Sequence, residues 1–177
     1  TGDSMAVVGP NGSGKSTLLM LLLSASRPSR GTIEYISDET ALDDSAIRSA
    51  TSLVSPYLNL YDTLTAEENI VFFAAVSGRT VQGKEINELL NRVGLEGRGP
   101  DLVGAYSSGM KQRLKYAVAL LNRPAYLFLD EPTSNLDEHG KQMVADVIEE
   151  YRRQSIIIIA TNEPEEQKLA RSVCRVA

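Results

Sequence analysis

Cysteine is almost absent from this sequence: Cys174 stands alone among 177 residues. No intrachain disulfide can form, and a reduced, cytoplasmic setting is expected. Cys174 lies in a terminal apolar pattern with Val173 and Val176 and is expected in the core. Histidine is as scarce, and His139, one turn into a helical pattern, reads as a solvated surface residue rather than a catalyst. Long hydrophobic runs are missing. Runs such as LLMLLL (Leu18 to Leu23) and IIIIA (Ile156 to Ala160) fall far below the roughly 20 residues of a spanning helix, so direct insertion in a membrane is not expected. Positive charge is in deficit, with 18 Lys and Arg against 23 Asp and Glu and a formal net charge of −5. Without a basic stripe, a nucleic-acid partner is not expected. No secretory leader pattern opens the chain, and the strand-like MAVV begins so early that an N-terminal truncation is expected. Repeats, low-complexity tracts and flexible linkers are also lacking. One domain is expected, since a chain of this length buries about 70% of its unfolded surface.

What is present is alternation. The short β-rich runs MAVV, TIEYI, TSLV, YLFLD and IIIIA are separated by helical patterns, as in a parallel sheet covered on both faces. Between Thr63 and Tyr106 the strands stop. There TAEE offers a capping box from Thr65 and Glu68, and Ile86, Leu89, Leu90 and Val93 share one helical face before Gly94. The expected fold is α/β, a core of residues 1–62 and 107–177 with a helical lobe, 63–106, inserted in it. A helix is also expected from about Met110 to Asn122, where Leu114, Ala117, Val118 and Leu121 align and Pro124 forbids continuation.

Two strand ends carry chemistry. GPNGSGKST follows MAVV and opens a helix, matching G-x-x-x-x-G-K-S. Gly9, Pro10, Asn11, Gly12, Ser13, Gly14, Lys15, Ser16 and Thr17 are therefore expected to cradle a nucleotide's phosphates, because such a loop turns its N–H groups inward and the helix N-terminus adds partial positive charge. Lys15 supplies full charge, and Ser16 a hydroxyl for Mg²⁺. A glycine-rich turn with an incidental lysine is the plain alternative. YLFLDEP ends in two carboxylates that a parallel sheet brings to the same edge. Asp130 is expected to hold the metal and Glu131 to polarise an attacking water; a helix cap or an edge carboxylate would look the same in isolation.

YSSGMKQRL (Tyr106 to Leu114), ahead of LFLDEPTSNLD, completes an order of motifs that resembles the ATP-binding cassette (ABC) ATPases over nearly the whole chain. The resemblance implies a P-loop core with an inserted helical subdomain, and hydrolysis of MgATP. YSSGM stands where that family's signature stands, so Ser107, Ser108 and Gly109 would contact the γ-phosphate of ATP held by a second cassette, in a head-to-tail dimer of identical or related chains. Met110 opens an anion-favouring helix N-terminus, and Lys111 and Arg113 are expected to add local positive charge. An ordinary helix cap is the alternative for YSSG, and Asp137 of the D-loop-like SNLD is also a cap for the next helix. A transmembrane permease partner on the inner face of the membrane follows from the resemblance alone. Within the family, LYDTLTAEENIVFFAAVSG and YSSGMKQRL look most like single-cassette subunits of ABC-2 or haem-exporter-like systems.

Two positions depart from the family pattern. After TSLV, where a Gln usually stands, the chain reads SPYLNLYDTLT, with Ser55, Pro56 or Tyr57 in that place, and a proline has neither the donor nor the freedom to replace it. Tyr57 and Tyr61 remain to dock a partner. After Thr161, where a His usually stands, there is Asn162, which can donate to a phosphate oxygen but cannot carry a proton near neutral pH. The other reading of Asn162 closes a turn before Pro164. Two alternatives follow for the function: a soluble ABC-type ATPase serving nucleic acid or ribosomes, and an ATP-dependent switch with weak hydrolysis.

Overall fold

The computed structural model describes residues 3–37 and 40–176. Its strands are β1 (Ser4–Val8), β2 (Ile36–Ser37), β3 (Thr40–Ala41), β4 (Thr51–Val54), β5 (Tyr126–Asp130), β6 (Ile156–Thr161) and β7 (Ser172–Arg175). Five of them form one sheet in the order β4-β5-β6-β1-β7, every pair parallel. The inner strands are apolar along nearly their whole length because both faces are covered. In β5, Leu127 and Leu129 enter the larger core while Phe128 points the other way.

The helices are α1 (Lys15–Leu22), α2 (Asp44–Ala50), α3 (Ala66–Val76), α4 (Gly83–Arg92), α5 (Ser108–Leu120), α6 (Glu138–Tyr151) and α7 (Pro164–Gln167). α1 lies on β5 and β6, with Leu19 packed against Phe128 and Ala160. α6 covers the opposite face through Val144, Val147, Ile148 and Tyr151. Between β4 and α5 the described elements are α3, α4 and a 3-10 turn at Val103–Ala105. α3 starts at a complete capping box, in which the Thr65 hydroxyl accepts from Glu68 N and the Glu68 carboxylate accepts from Thr65 N. The face of α4 formed by Ile86, Leu89 and Leu90 is buried with Val93, and Gly94 follows at φ 72°. Both helices pack on α5, which in turn touches β4.

Two expectations fail at the margins. TIEYI is not a strand of the main sheet: only Ile36 is paired, antiparallel, in the separate β2–β3 ribbon. The segment is anchored instead by Tyr35, whose hydroxyl donates to the Leu22 carbonyl at the end of α1 and whose ring meets Tyr126 edge-on at 4.9 Å. Cys174, expected in the core, is exposed. It belongs to β7, an edge strand paired only with β1 and exposed throughout its length.

Candidate functional site

Sheet register gathers the predicted residues. Val8 is opposite Thr161, Ala160 opposite Asp130, and Leu129 opposite Val54. The loops that begin at Gly9, Glu131, Asn162 and Ser55 therefore leave one edge of the sheet side by side, at the carboxyl ends where α/β sheets bind ligands.

The Gly9–Thr17 loop depends on glycine at two kinds of position. Gly14 sits at φ 91°, and Gly9 is approached so closely that a Cβ would lie 2.4 Å from the Val176 carbonyl oxygen and 2.6 Å from Ser13 Oγ. The loop closes through Ser13 N donating to Pro10 O at 3.2 Å. Helices α2, α3, α5 and α6 each have a side-chain cap, whereas α1, like α4 and α7, has none and begins at Gly14. Its first N–H groups are left for an anion. Lys15 is buried, its ammonium donating to Gly9 O at 2.8 Å and Pro10 O at 3.0 Å. The Ser13 hydroxyl is buried and has no protein partner. An uncapped helix end, an orphaned hydroxyl and a cation inside one loop fit a phosphate chain.

Asp130 closes β5 and is 5% exposed. Burial raises its pKa from the ordinary value, against the lowering effects of Ser16 and the Lys15 charge. Ser16 and Asp130 thus lie near each other, where both could serve one cation. The raised pKa means that the folded state holds the Asp130 proton more tightly than the unfolded chain. That contribution is fully present below the ordinary value of 3.8 and is lost as pH rises through the folded pKa. Asp130→Asn, neutral at every pH, is therefore expected to melt higher than the parent at pH 7. The difference should shrink in acid. Melting curves of the nucleotide-free proteins at pH 7 and pH 4 check it, and equal curves at pH 7 count against a burial cost at Asp130.

Glu131 is exposed and sits at φ 47°, a left-handed conformation that a non-glycine residue adopts only when its surroundings enforce it. Its N–H donates to Ala160 O at 2.9 Å, and its carbonyl accepts from Ser134 N at 3.1 Å. The carboxylate is thereby turned outward over a cavity of about 850 Å³ that Asn162 and Thr133 also line. Asn162 Nδ2 donates to Asn11 Oδ1 at 3.1 Å, so the residue that follows β6 touches the Gly9–Thr17 loop itself.

The YSSG segment lies at the start of α5. Ser107 Oγ accepts from Met110 N at 3.2 Å as an ordinary cap, and Ser107 and Ser108 remain exposed. Capping uses acceptor capacity only, so the hydroxyl proton stays available to an outside anion. Gly109 is tight, with a Cβ placed 3.1 Å from the Asn135 carbonyl oxygen. The expectation for Lys111 and Arg113 needs correction. Lys111 is bound to Asp62 at 2.8 Å, and Arg113, nearly buried, to Asp137 at 2.8 Å. Their charges are spent within the chain, fastening α5 to the approach to α3 and to the cap of α6. Asp137 also accepts from Gly140 N at 2.8 Å, as its capping role requires.

Three residues escaped the sequence reading. Lys115 Nζ donates to Ser55 O at 3.0 Å and Pro56 O at 3.1 Å, and burial lowers its pKa. A lysine on α5 thus grips the loop that follows β4. Tyr116, fully buried, donates its hydroxyl to Pro132 O at 2.9 Å. Glu166, also buried, accepts from both the N–H and the hydroxyl of Thr133. None had a local signal: Lys115 and Tyr116 fall within a helical pattern, and Glu166 reads as one acid among several in EPEE.

A phosphate loop between a central parallel strand and an uncapped helix, with a strand-end carboxylate in register beside it, defines a P-loop nucleotide-binding domain. The chain belongs to the ABC transporter family, whose model matches residues 1–134. The ABC transporter ATP-binding protein YxlF of Bacillus subtilis is 38% identical over 163 residues, 90% of this chain and 53% of its own length. The lipoprotein-releasing system ATP-binding protein LolD of Oleidesulfovibrio alaskensis is 37% identical over 171 residues, covering 91% and 74%. The chain thus spans about half the length of YxlF. Among solved structures, a dimeric ATP-binding cassette in a post-hydrolysis state, bound to ADP and Pi, superposes with a TM-score of 0.85 at 25% identity, over 99% of this chain and 81% of that one.

Proposed function

We propose that this chain binds and hydrolyses MgATP as one half of a head-to-tail cassette dimer that drives a membrane permease. The observation that carries the reading is the phosphate loop with its orphaned Ser13 hydroxyl, in register with Asp130, Glu131 and Asn162. In this reading the N–H groups from Gly9 to Thr17 and the Lys15 ammonium bind the β- and γ-phosphates of the substrate. The Lys15 ammonium exchanges its two loop carbonyls for phosphate oxygens as the substrate enters. Ser16 and Asp130 would hold Mg²⁺, which when bound neutralises charge on the β- and γ-phosphate oxygens. Glu131 takes a proton from the attacking water, and Asn162 donates its amide to the γ-phosphate without taking part in proton transfer.

The second cassette is supported by Ser107 and Ser108, exposed at the start of α5, and by the dimeric state named for the solved relative. The permease is supported by the relatives, one an ABC transporter ATP-binding protein and the other the ATP-binding protein of a lipoprotein-releasing system. No helix among the described residues is long and apolar enough to cross a membrane, and work on a membrane then falls to that partner.

The dimer is tested by size. Glu131→Gln, which leaves ATP uncleaved, is expected to elute at double mass with MgATP and at single mass without it. Adding Gly109→Asp should abolish the dimer while each chain still binds ATP, because the new carboxylate repels the incoming phosphate. A dimer that persists in the double variant overturns the head-to-tail arrangement.

A further inference from the structure

We infer that Glu166 is a positioning residue for hydrolysis: its buried carboxylate ties the segment that follows Glu131 to the strand end that precedes Asn162. The inference rests on the reading of Glu131 as the base. Glu166 is 3% exposed, on the short helix α7. One of its oxygens, Oε1, accepts from Thr133 N at 2.8 Å and from the Thr133 hydroxyl at 2.5 Å. The other, Oε2, accepts from the Thr161 hydroxyl. Thr133 stands two residues after Glu131, and Thr161 immediately before Asn162. A single rigid carboxylate therefore bridges the two loops that carry the base and the switch amide.

The surroundings show what the bridge holds. Pro132, between Glu131 and Thr133, has its carbonyl gripped from the opposite side by the Tyr116 hydroxyl at 2.9 Å and by Gln112 Nε2 at 3.5 Å, both from α5. The Thr161 hydroxyl, besides donating to Glu166, accepts from Glu163 N at 2.9 Å, which closes the turn that displays Asn162. The Glu131 side chain itself is exposed, while its backbone at φ 47° is held by its N–H donating to Ala160 O and by Ser134 N donating to its carbonyl. Its direction depends on Pro132 and Thr133 staying where they are. Had α7 only needed packing, an apolar side chain would fill the site without the cost of desolvating a charge; a buried carboxylate with three donors is useful where a fixed distance matters. A displacement of about 1 Å at a reacting group costs on the order of 10²-fold in rate, so the bridge acts on the chemical step without touching the substrate.

The test compares Glu166→Ala, Glu166→Gln and Thr133→Ala with the parent and with Glu131→Gln, by steady-state ATP turnover and by amide hydrogen exchange. Glu166→Ala is expected to lower kcat by about 10-fold or more with the KM for ATP within about two-fold, because phosphate binding lies in another loop. Placed on Glu131→Gln it should add no further loss, since a misplaced base matters only where a base is present. Exchange should rise at 131–135 and 161–163 and stay unchanged at 9–17. Glu166→Gln, which keeps one oxygen for Thr133, should recover part of kcat, and Thr133→Ala should lose part of it. A full kcat in Glu166→Ala overturns the inference, as does a loss that is additive with Glu131→Gln. If Glu166→Ala fails to fold, Thr133→Ala decides alone: normal kcat and normal exchange at 131–135 overturn it. Normal turnover by Glu131→Gln instead overturns the reading of the base, and the exchange pattern still reports the bridge.

Discussion

Glu131→Gln is expected to lower steady-state ATP turnover by about 10²-fold or more while ATP binding stays within about two-fold, the signature of a group needed only as the reaction proceeds. Gln preserves the length of the side chain and the contacts that fix residue 131, its N–H to Ala160 O and its carbonyl to Ser134 N. What it removes is the ability to take a proton from water. The phosphate loop lies on β1 and is untouched, so nucleotide affinity should not follow the rate. Phosphate release measured beside a direct ATP-binding titration separates the two. Equal rates in parent and variant would remove Glu131 from the chemistry. A loss of rate that tracks a loss of binding would make it a structural residue of the site.

The second large effect concerns the support of the phosphate loop. Phe128 is 1% exposed and packs with Leu19 and Ala160 in a small core beneath α1 that the main core does not share. Phe128→Ala is expected to destabilise the fold by about 3–5 kcal/mol, the usual cost of deleting a buried ring and leaving a cavity. In a domain of this size that lowers Tm by on the order of 10 °C. Because the cavity opens under the helix that aims Lys15, ATP affinity should fall too, unlike the outcome for Glu131→Gln. A denaturant titration checks the first effect: the midpoint should drop with the slope unchanged. Ile36→Ala, at a residue 61% exposed, is the matched control and should stay within about 0.5 kcal/mol of the parent.

The site was legible where its chemistry is local. The glycine loop, its lysine and its helix are one continuous segment, and Asp130 and Glu131 sit at the end of a strand, so short-range rules suffice. The capping box at Thr65 and the helical face of Ile86, Leu89 and Leu90 are equally local. TIEYI has the composition of a strand but no free place in the main sheet, and composition does not say which edges are open. The charges of Lys111 and Arg113 looked available because their partners lie 49 and 24 residues away in the chain. Glu166 was hidden for the same reason: Thr133 is 33 residues distant, and only the fold shows that the two loops meet. Long-range pairing of polar groups is what a period or a propensity does not report.

The contact between Asn162 and Asn11 links the end of β6 to the phosphate loop through two uncharged amides. Such a bond carries no net charge for salt to screen and no proton to lose in mild acid. Ionic strength and pH near neutrality therefore leave this latch alone. In the function proposed above, a phosphate oxygen in the loop below would compete for the Asn162 amide and open the latch.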